Sequence, residues 1–168
     1  MSEPTETASL AAAAVHLLAE RGETLAVAES LTGGALAGVL VDIAGVSKVF
    51  RGGLVLYATD LKASLGGVPS GLLDERGPVD PDVALAMAAG ARSRCGADWG
   101  VATTGVAGPE PQGGQPVGLV YVAVAGPHAT RVRRLDLDGG RAAVRAGATS
   151  GALGLLAAEL RAEAAHSR

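Results

Sequence analysis

Residues 25–43 constrain the fold more than any other stretch. An apolar run, Leu25-Ala26-Val27-Ala28, is stopped by Glu29-Ser30-Leu31-Thr32-Gly33-Gly34, and a second apolar stretch from Ala35 to Ile43 follows with helical spacing. The first run reads as a buried strand and the second as a helix packed on a sheet. A strand that passes into a helix through so short a turn is the unit from which parallel α/β sheets are built. It also puts Ser30 at the carboxyl end of a strand, beside the crevice where such sheets bind ligands. The N–H groups of the following helix point into the same space, so Thr32, Gly33 and Gly34 are expected to meet a phosphate, a carboxylate or a developing oxyanion. Helix capping is the competing use of the same residue types. Glu29 reads as a partner for a nearby amide or cation rather than as a reacting group. Neither a G-x-S-x-G elbow nor a Walker-type phosphate loop is present.

The rest of the chain repeats the strand-helix rhythm and then breaks it. A helical stripe from Ala8 to Arg21 ends at Gly22, and Gly52 to Tyr57 reads as a second strand with Tyr57 at its end. A short helix follows, with Thr59 as its expected cap and Lys62 in its first turn. A cation there opposes the helix dipole, and dipole and burial together would lower the lysine pKa and supply a neutral base. Asp80-Pro81 opens a long helix, cap followed by proline. A third strand from Asp98 to Thr103 runs into a loop from Thr104 to Gly118 that is too rich in glycine and proline to be mere punctuation, with Thr104 and Gly105 as a second anion-friendly surface. Two strands around Leu119 to Ala125 and Arg131 to Leu137 form a hairpin, and a helix from Arg141 to Glu163 covers the sheet. Arg51 and Arg145 are the candidate cations for a charged ligand. The expected fold is a three-layer α/β/α sandwich with a mixed, mostly parallel sheet of about five or six strands.

Composition bounds the partners. The 168 residues, 48% hydrophobic and 18% charged, suffice for one domain without disulfides, expected over residues 7–165 after a flexible N-terminus of residues 1–6. A net charge of -3 with no basic stripe argues against nucleic acid, and Arg131-Val132-Arg133-Arg134 alternates like a solvated strand face. Cys95 is the single cysteine, which suits a reducing cytoplasm. His16, His128 and His166 lack ligand-like spacing, so neither metal nor cofactor is expected. The acidic start is not a secretory signal, and Asp42 interrupts the longest apolar segment, so the expectation is a cytoplasmic protein with no membrane partner.

As a set, Ala28 to Gly34, Arg51 to Lys62, and Thr104-Gly105-Val106-Ala107-Gly108-Pro109 with Pro116-Val117-Gly118 resemble the CinA C-terminal family, which includes stand-alone nicotinamide-nucleotide amidohydrolases. The similarity runs in order from about Ala8 to Leu160. It implies a three-layer α/β/α domain that hydrolyses the carboxamide of nicotinamide mononucleotide to nicotinate mononucleotide and ammonia, with a serine, a tyrosine and a lysine that fall on Ser30, Tyr57 and Lys62, and without a metal. It also implies a small-molecule nucleotide as partner and association into a homodimer. Two departures bear on substrate preference: Leu31 beside the serine, and the loop Pro109 to Gln115, which lacks the basic residue common near its end. A catalytically silent nucleotide-binding or competence-associated module and an amidase for another small carboxamide remain as alternatives.

Overall fold

A computed structural model describes residues 5–166. In chain order the elements are α1 (Glu6–Arg21), β1 (Leu25–Glu29), α2 (Ala35–Val41), β2 (Phe50–Val55), α3 (Thr59–Ser64), α4 (Ser70–Arg76), α5 (Pro81–Arg94), β3 (Trp99–Gly105), β4 (Leu119–Ala125), β5 (Thr130–Asp136) and α6 (Arg141–His166), with a single 3-10 turn at Val46–Lys48 before β2. The sheet order is β2-β1-β3-β4-β5. β1 pairs in parallel with β2 and β3, whereas β4 is antiparallel to both its neighbours. Four strands therefore point one way and only β4 runs back, which is the mixed sheet the sequence led us to expect.

The layers follow from side-chain alternation along the strands. Val27 and Val101 face a core built from α1, α2 and α6, including Leu18, Leu36, Leu40, Leu153 and Leu156. The opposite face of the same strands shows Ala26, Ala28, Ala102 and Ala123, and meets Val83, Met87 and Ala91 of α5. Small residues on this second face let α5 approach closely. A Cβ added at Gly100 would lie 2.0 Å from the Ala88 carbonyl oxygen, and one added at Gly90 would lie 1.7 Å from that of Gly66. The second of these contacts seats the segment after α3, and α3 carries Lys62.

Several boundaries match the local chemistry. Gly22 ends α1 in the left-handed region at φ 66°, and Asp80 caps α5 by accepting from the N–H groups of Asp82 and Val83. Three expectations need correction. Of the N-terminal segment 1–6, residues 1–4 lie outside the described residues, while the Thr5 side chain caps α1 and Glu6 begins it. Thr59 is the first residue of α3 rather than its cap; Ala58 precedes it, with no side-chain cap bond. β2 ends at Val55, so Tyr57 stands in the connection beyond the strand. No helix among the described residues is long and apolar enough to cross a membrane.

Candidate active site

The strand order creates a crevice. β1 leads through α2 to β2 on one side while β3 lies on the other, so the gap beyond β1 and β3 is a topological switch point. A cavity of ≈ 110 Å³ opens there, lined by Ser30 and Leu31 after β1, Tyr57 and Lys62 after β2, the segment Thr104 to Gly108 with Glu110 and Gln112 after β3, and Arg141 at the start of α6. The Ser30 N–H donates across the crevice to the Thr103 carbonyl at 3.1 Å.

Lys62 sits at the floor, 1% exposed. Its Nζ donates to Ser30 Oγ at 2.9 Å and to the Leu56 carbonyl at 2.8 Å. Burial lowers its pKa from 10.5 to about 8, because the ammonium loses hydration. Lys62 falls in the last turn of α3 rather than in the first turn the sequence suggested, so the helix dipole does not account for the shift and burial does.

The turn that carries Ser30 is clamped on both flanks. Glu29 is fully buried and its carboxylate accepts from the N–H groups of Gly34, Leu36 and Ala37 at 3.2, 2.9 and 3.0 Å. It thus occupies the start of α2, where the dipole favours an anion. Arg145 donates from Nε to the Leu31 carbonyl and from a terminal nitrogen to that of Thr32, both at 2.9 Å. The Thr32 and Thr103 hydroxyls share a hydrogen bond of 2.8 Å.

These contacts revise the expected ligand-binding set. The Gly33 N–H donates to the Ser30 carbonyl, that of Gly34 to Glu29, and Thr32 is fully buried, so the expected anion subsite at the start of α2 is filled by the protein's own carboxylate. Arg51 lies at the opposite end of β2, where its Nε donates to the Cys95 carbonyl. Arg145 is not among the residues lining the cavity and directs two donors to the backbone of the Ser30 turn. Thr104 and Gly105 do line the cavity, and the Thr104 hydroxyl donates to the Pro78 carbonyl at 2.6 Å. Tyr57 stands at the mouth, 58% exposed, and its hydroxyl accepts from Arg141 at 2.8 Å; it bonds neither Ser30 nor Lys62.

Arg141 is the functional side chain that sequence reasoning missed. It joins Tyr57 to the β3–β4 loop, donating also to the Gly108 carbonyl at 2.6 Å. The signal that drew attention to Lys62 in the sequence, a cation in the first turn of a helix where its charge opposes the dipole, holds in the structure for Arg141, the first residue of α6. Leu31 and Ala107 are among the residues lining the cavity, and their backbone N–H groups donate to no described residue. A hydroxyl bonded to an amine of lowered pKa, with amide donors nearby, is an arrangement suited to acyl transfer. Among the described residues no group of three His, Cys, Asp or Glu side chains converges to hold a metal ion.

Comparison with known proteins agrees with this architecture. A CinA-like protein of Frankia casuarinae is 53% identical over 148 residues, covering 88% of this chain and 34% of the relative. One from Gloeobacter violaceus is 48% identical over 155 residues, covering 90% and 36%. The chain therefore spans about a third of the length of these relatives. Among solved structures, a competence/damage inducible protein from Agrobacterium tumefaciens superposes with a TM-score of 0.89 at 36% identity, covering 96% of this chain and 99% of that one. A CinA superfamily protein from Enterobacter cloacae gives 0.90 at 28% identity, covering 95% of each. The family model described as the CinA C-terminal domain matches residues 7–160, nearly all of the sequence, and the chain belongs to that family.

Proposed function

We propose that this protein hydrolyses the carboxamide of nicotinamide mononucleotide, giving nicotinate mononucleotide and ammonia. The observation that carries the reading is the 2.9 Å contact between Lys62 Nζ and Ser30 Oγ, made by a buried lysine whose pKa is lowered to about 8. A serine needs a base to become a nucleophile, and a lysine needs a dry site to become a base near neutral pH. Each residue here supplies what the other lacks.

In the proposed sequence Ser30 Oγ attacks the amide carbon as its proton passes to neutral Lys62. The tetrahedral oxyanion is held by the Leu31 and Ala107 N–H groups, each such donor being worth about 3 kcal/mol in related chemistry. Collapse breaks the C–N bond, and the Lys62 ammonium returns its proton to the departing nitrogen, which leaves as ammonia. Water then attacks the Ser30 ester, giving a proton to Lys62, which passes it to Ser30 Oγ as the acid departs. Tyr57 acts at the mouth, since Lys62 reaches the serine directly. Arg141, rather than Arg51, is the cation facing the cavity and the candidate partner for the substrate phosphate.

The test measures ammonia and nicotinate mononucleotide formed from nicotinamide mononucleotide in buffer containing chelator, comparing the native protein with Ser30→Ala. Turnover by the native protein alone is the expected result. No turnover by folded native protein, or equal turnover by both, would overturn the assignment.

A further inference from the structure

Thr104 carries a hydroxyl that is free only to accept. Its Oγ1 lies 2.6 Å from the Pro78 carbonyl oxygen, which has no proton to give, so the hydroxyl proton is committed to that bond. No described residue donates to Oγ1 in return, and Thr104 is 1% exposed. Thr104 and Pro78 are both among the residues lining the cavity. The sequence set Thr104 among the groups awaiting an anion, yet a hydroxyl that offers only lone pairs repels an anion and calls for an N–H. Pro78 is held for this purpose by its neighbour Val79, which is buried against Val106 and Leu119.

The strand register brings this acceptor beside the serine. Glu29 pairs with Thr103 and the Ser30 N–H donates to the Thr103 carbonyl, so Ser30 and Thr104 stand abreast where β1 and β3 end. Residues abreast on parallel strands turn their side chains to the same face. Glu29 and Thr103 turn toward α2 and Thr32, whereas Ser30 and Thr104 turn toward Lys62 and Pro78. Adjacent strands are about 4.8 Å apart, a gap spanned by a carbon bonded to one oxygen and a nitrogen hydrogen-bonded to the other.

We infer that Thr104 is the specificity-determining residue that recognises the amide nitrogen, its Oγ1 accepting an N–H of the leaving group while Ser30 Oγ holds the carbon. This rests on the amide-hydrolysis reading above and adds to it how the site tells a carboxamide from an ester. In the tetrahedral intermediate the nitrogen gives an N–H to Thr104 and turns its lone pair to the Lys62 ammonium, so the proton arrives at the bond that breaks. An ester oxygen has no hydrogen to offer Thr104.

The experiment uses two substrates that differ in the leaving group alone, nicotinamide mononucleotide and the methyl ester of nicotinate mononucleotide. Thr104→Val removes the hydroxyl at nearly constant shape, and Thr104→Ser keeps it. For the amide, kcat/KM is expected to fall about tenfold or more in Thr104→Val and to stay within about threefold of native in Thr104→Ser, with the ester changed less than about twofold in either. Thr104→Ala takes the place of Thr104→Val where the latter lacks the native thermal midpoint. Amide and ester falling together, or neither falling, overturns the role of Thr104 and leaves amide hydrolysis standing. Failure of both apolar variants to fold makes Thr104 a structural residue and overturns it too. Native protein that hydrolyses the ester and leaves the amide untouched removes both readings together.

Discussion

Lys62 combines the chemistry and its cost in one side chain. In the proposed mechanism its neutral form is the base, so kcat/KM is expected to rise about tenfold per pH unit below a pKa of about 8 and to level off above it. A pH profile of the free enzyme that is flat from 6 to 9 would contradict this. The same shift has a consequence for stability. The folded pKa lies below the unfolded value of 10.5, so between about 8 and 10.5 the unfolded chain binds more protons and stability rises with pH. Below about 8 the folded protein must bear a buried ammonium, a penalty of about 3 kcal/mol. Denaturant unfolding at pH 7.5 and 10 tests this, with Lys62→Met as the reference for all other titrating groups. The native protein is expected to gain on the variant as the pH rises, and no relative gain would show that Lys62 is hydrated in the native state. Ser30 and Lys62 are 32 residues apart, and spacing alone does not join them. The sequence made each conspicuous through its expected local setting, a hydroxyl after a strand and a cation in a short helix, although Lys62 falls in the last turn of α3 and not in the first, and their contact is a product of the fold.

At the scale of elements, the β1–α2 turn matters most, because it sets the position of Ser30 through bonds made by its neighbours. Glu29 reaches five to eight residues ahead to close the start of α2. Ordinary caps reach only two or three residues, so the sequence pointed to an amide partner for Glu29 without showing that it fills the space reserved for an anion. Glu29→Ala leaves the N–H groups of Gly34, which precedes α2, and of Leu36 and Ala37 in its first turn without acceptors and is expected to cost about 3 kcal/mol or more. Glu29→Gln keeps one acceptor oxygen and costs less. Arg145→Ala releases the Leu31 and Thr32 carbonyls on the other flank, and there kcat is expected to fall more than KM rises, since the serine loses its alignment rather than the ligand its contacts. A rise in KM alone would make Arg145 a ligand-binding residue after all. α5 contrasts with this turn: Asp80-Pro81 was legible because cap and proline act within three residues of each other. Tertiary contacts decide the turn, whereas local ones decide α5.

The whole molecule places its site where three parallel strands end and where α6 returns from the far end of the chain. Arg141 meets Gly108 and Tyr57 across 33 and 84 residues, a separation no local pattern reports, which is why the layers were legible in the sequence and the cation at the mouth was not. The sheet also couples two cores that share no side chains. Trp99 is the single tryptophan, packed in the α1–α2–α6 layer with its indole N–H donating to Glu23 at 2.7 Å and Arg21 over its ring. Met87 lies fully buried in the α5 layer on the other face. Each strand of the centre contributes side chains to both layers, so loss of packing on one face loosens backbone that the other face needs. Met87→Ala is expected to cost about 2–5 kcal/mol, and the whole loss should appear in the Trp99 fluorescence transition, on the face where nothing was changed. Far-UV circular dichroism should give the same midpoint. Separate transitions for the two probes would mean that the layers unfold independently, and that the strand ends holding Ser30 and Thr104 owe their alignment to one layer alone.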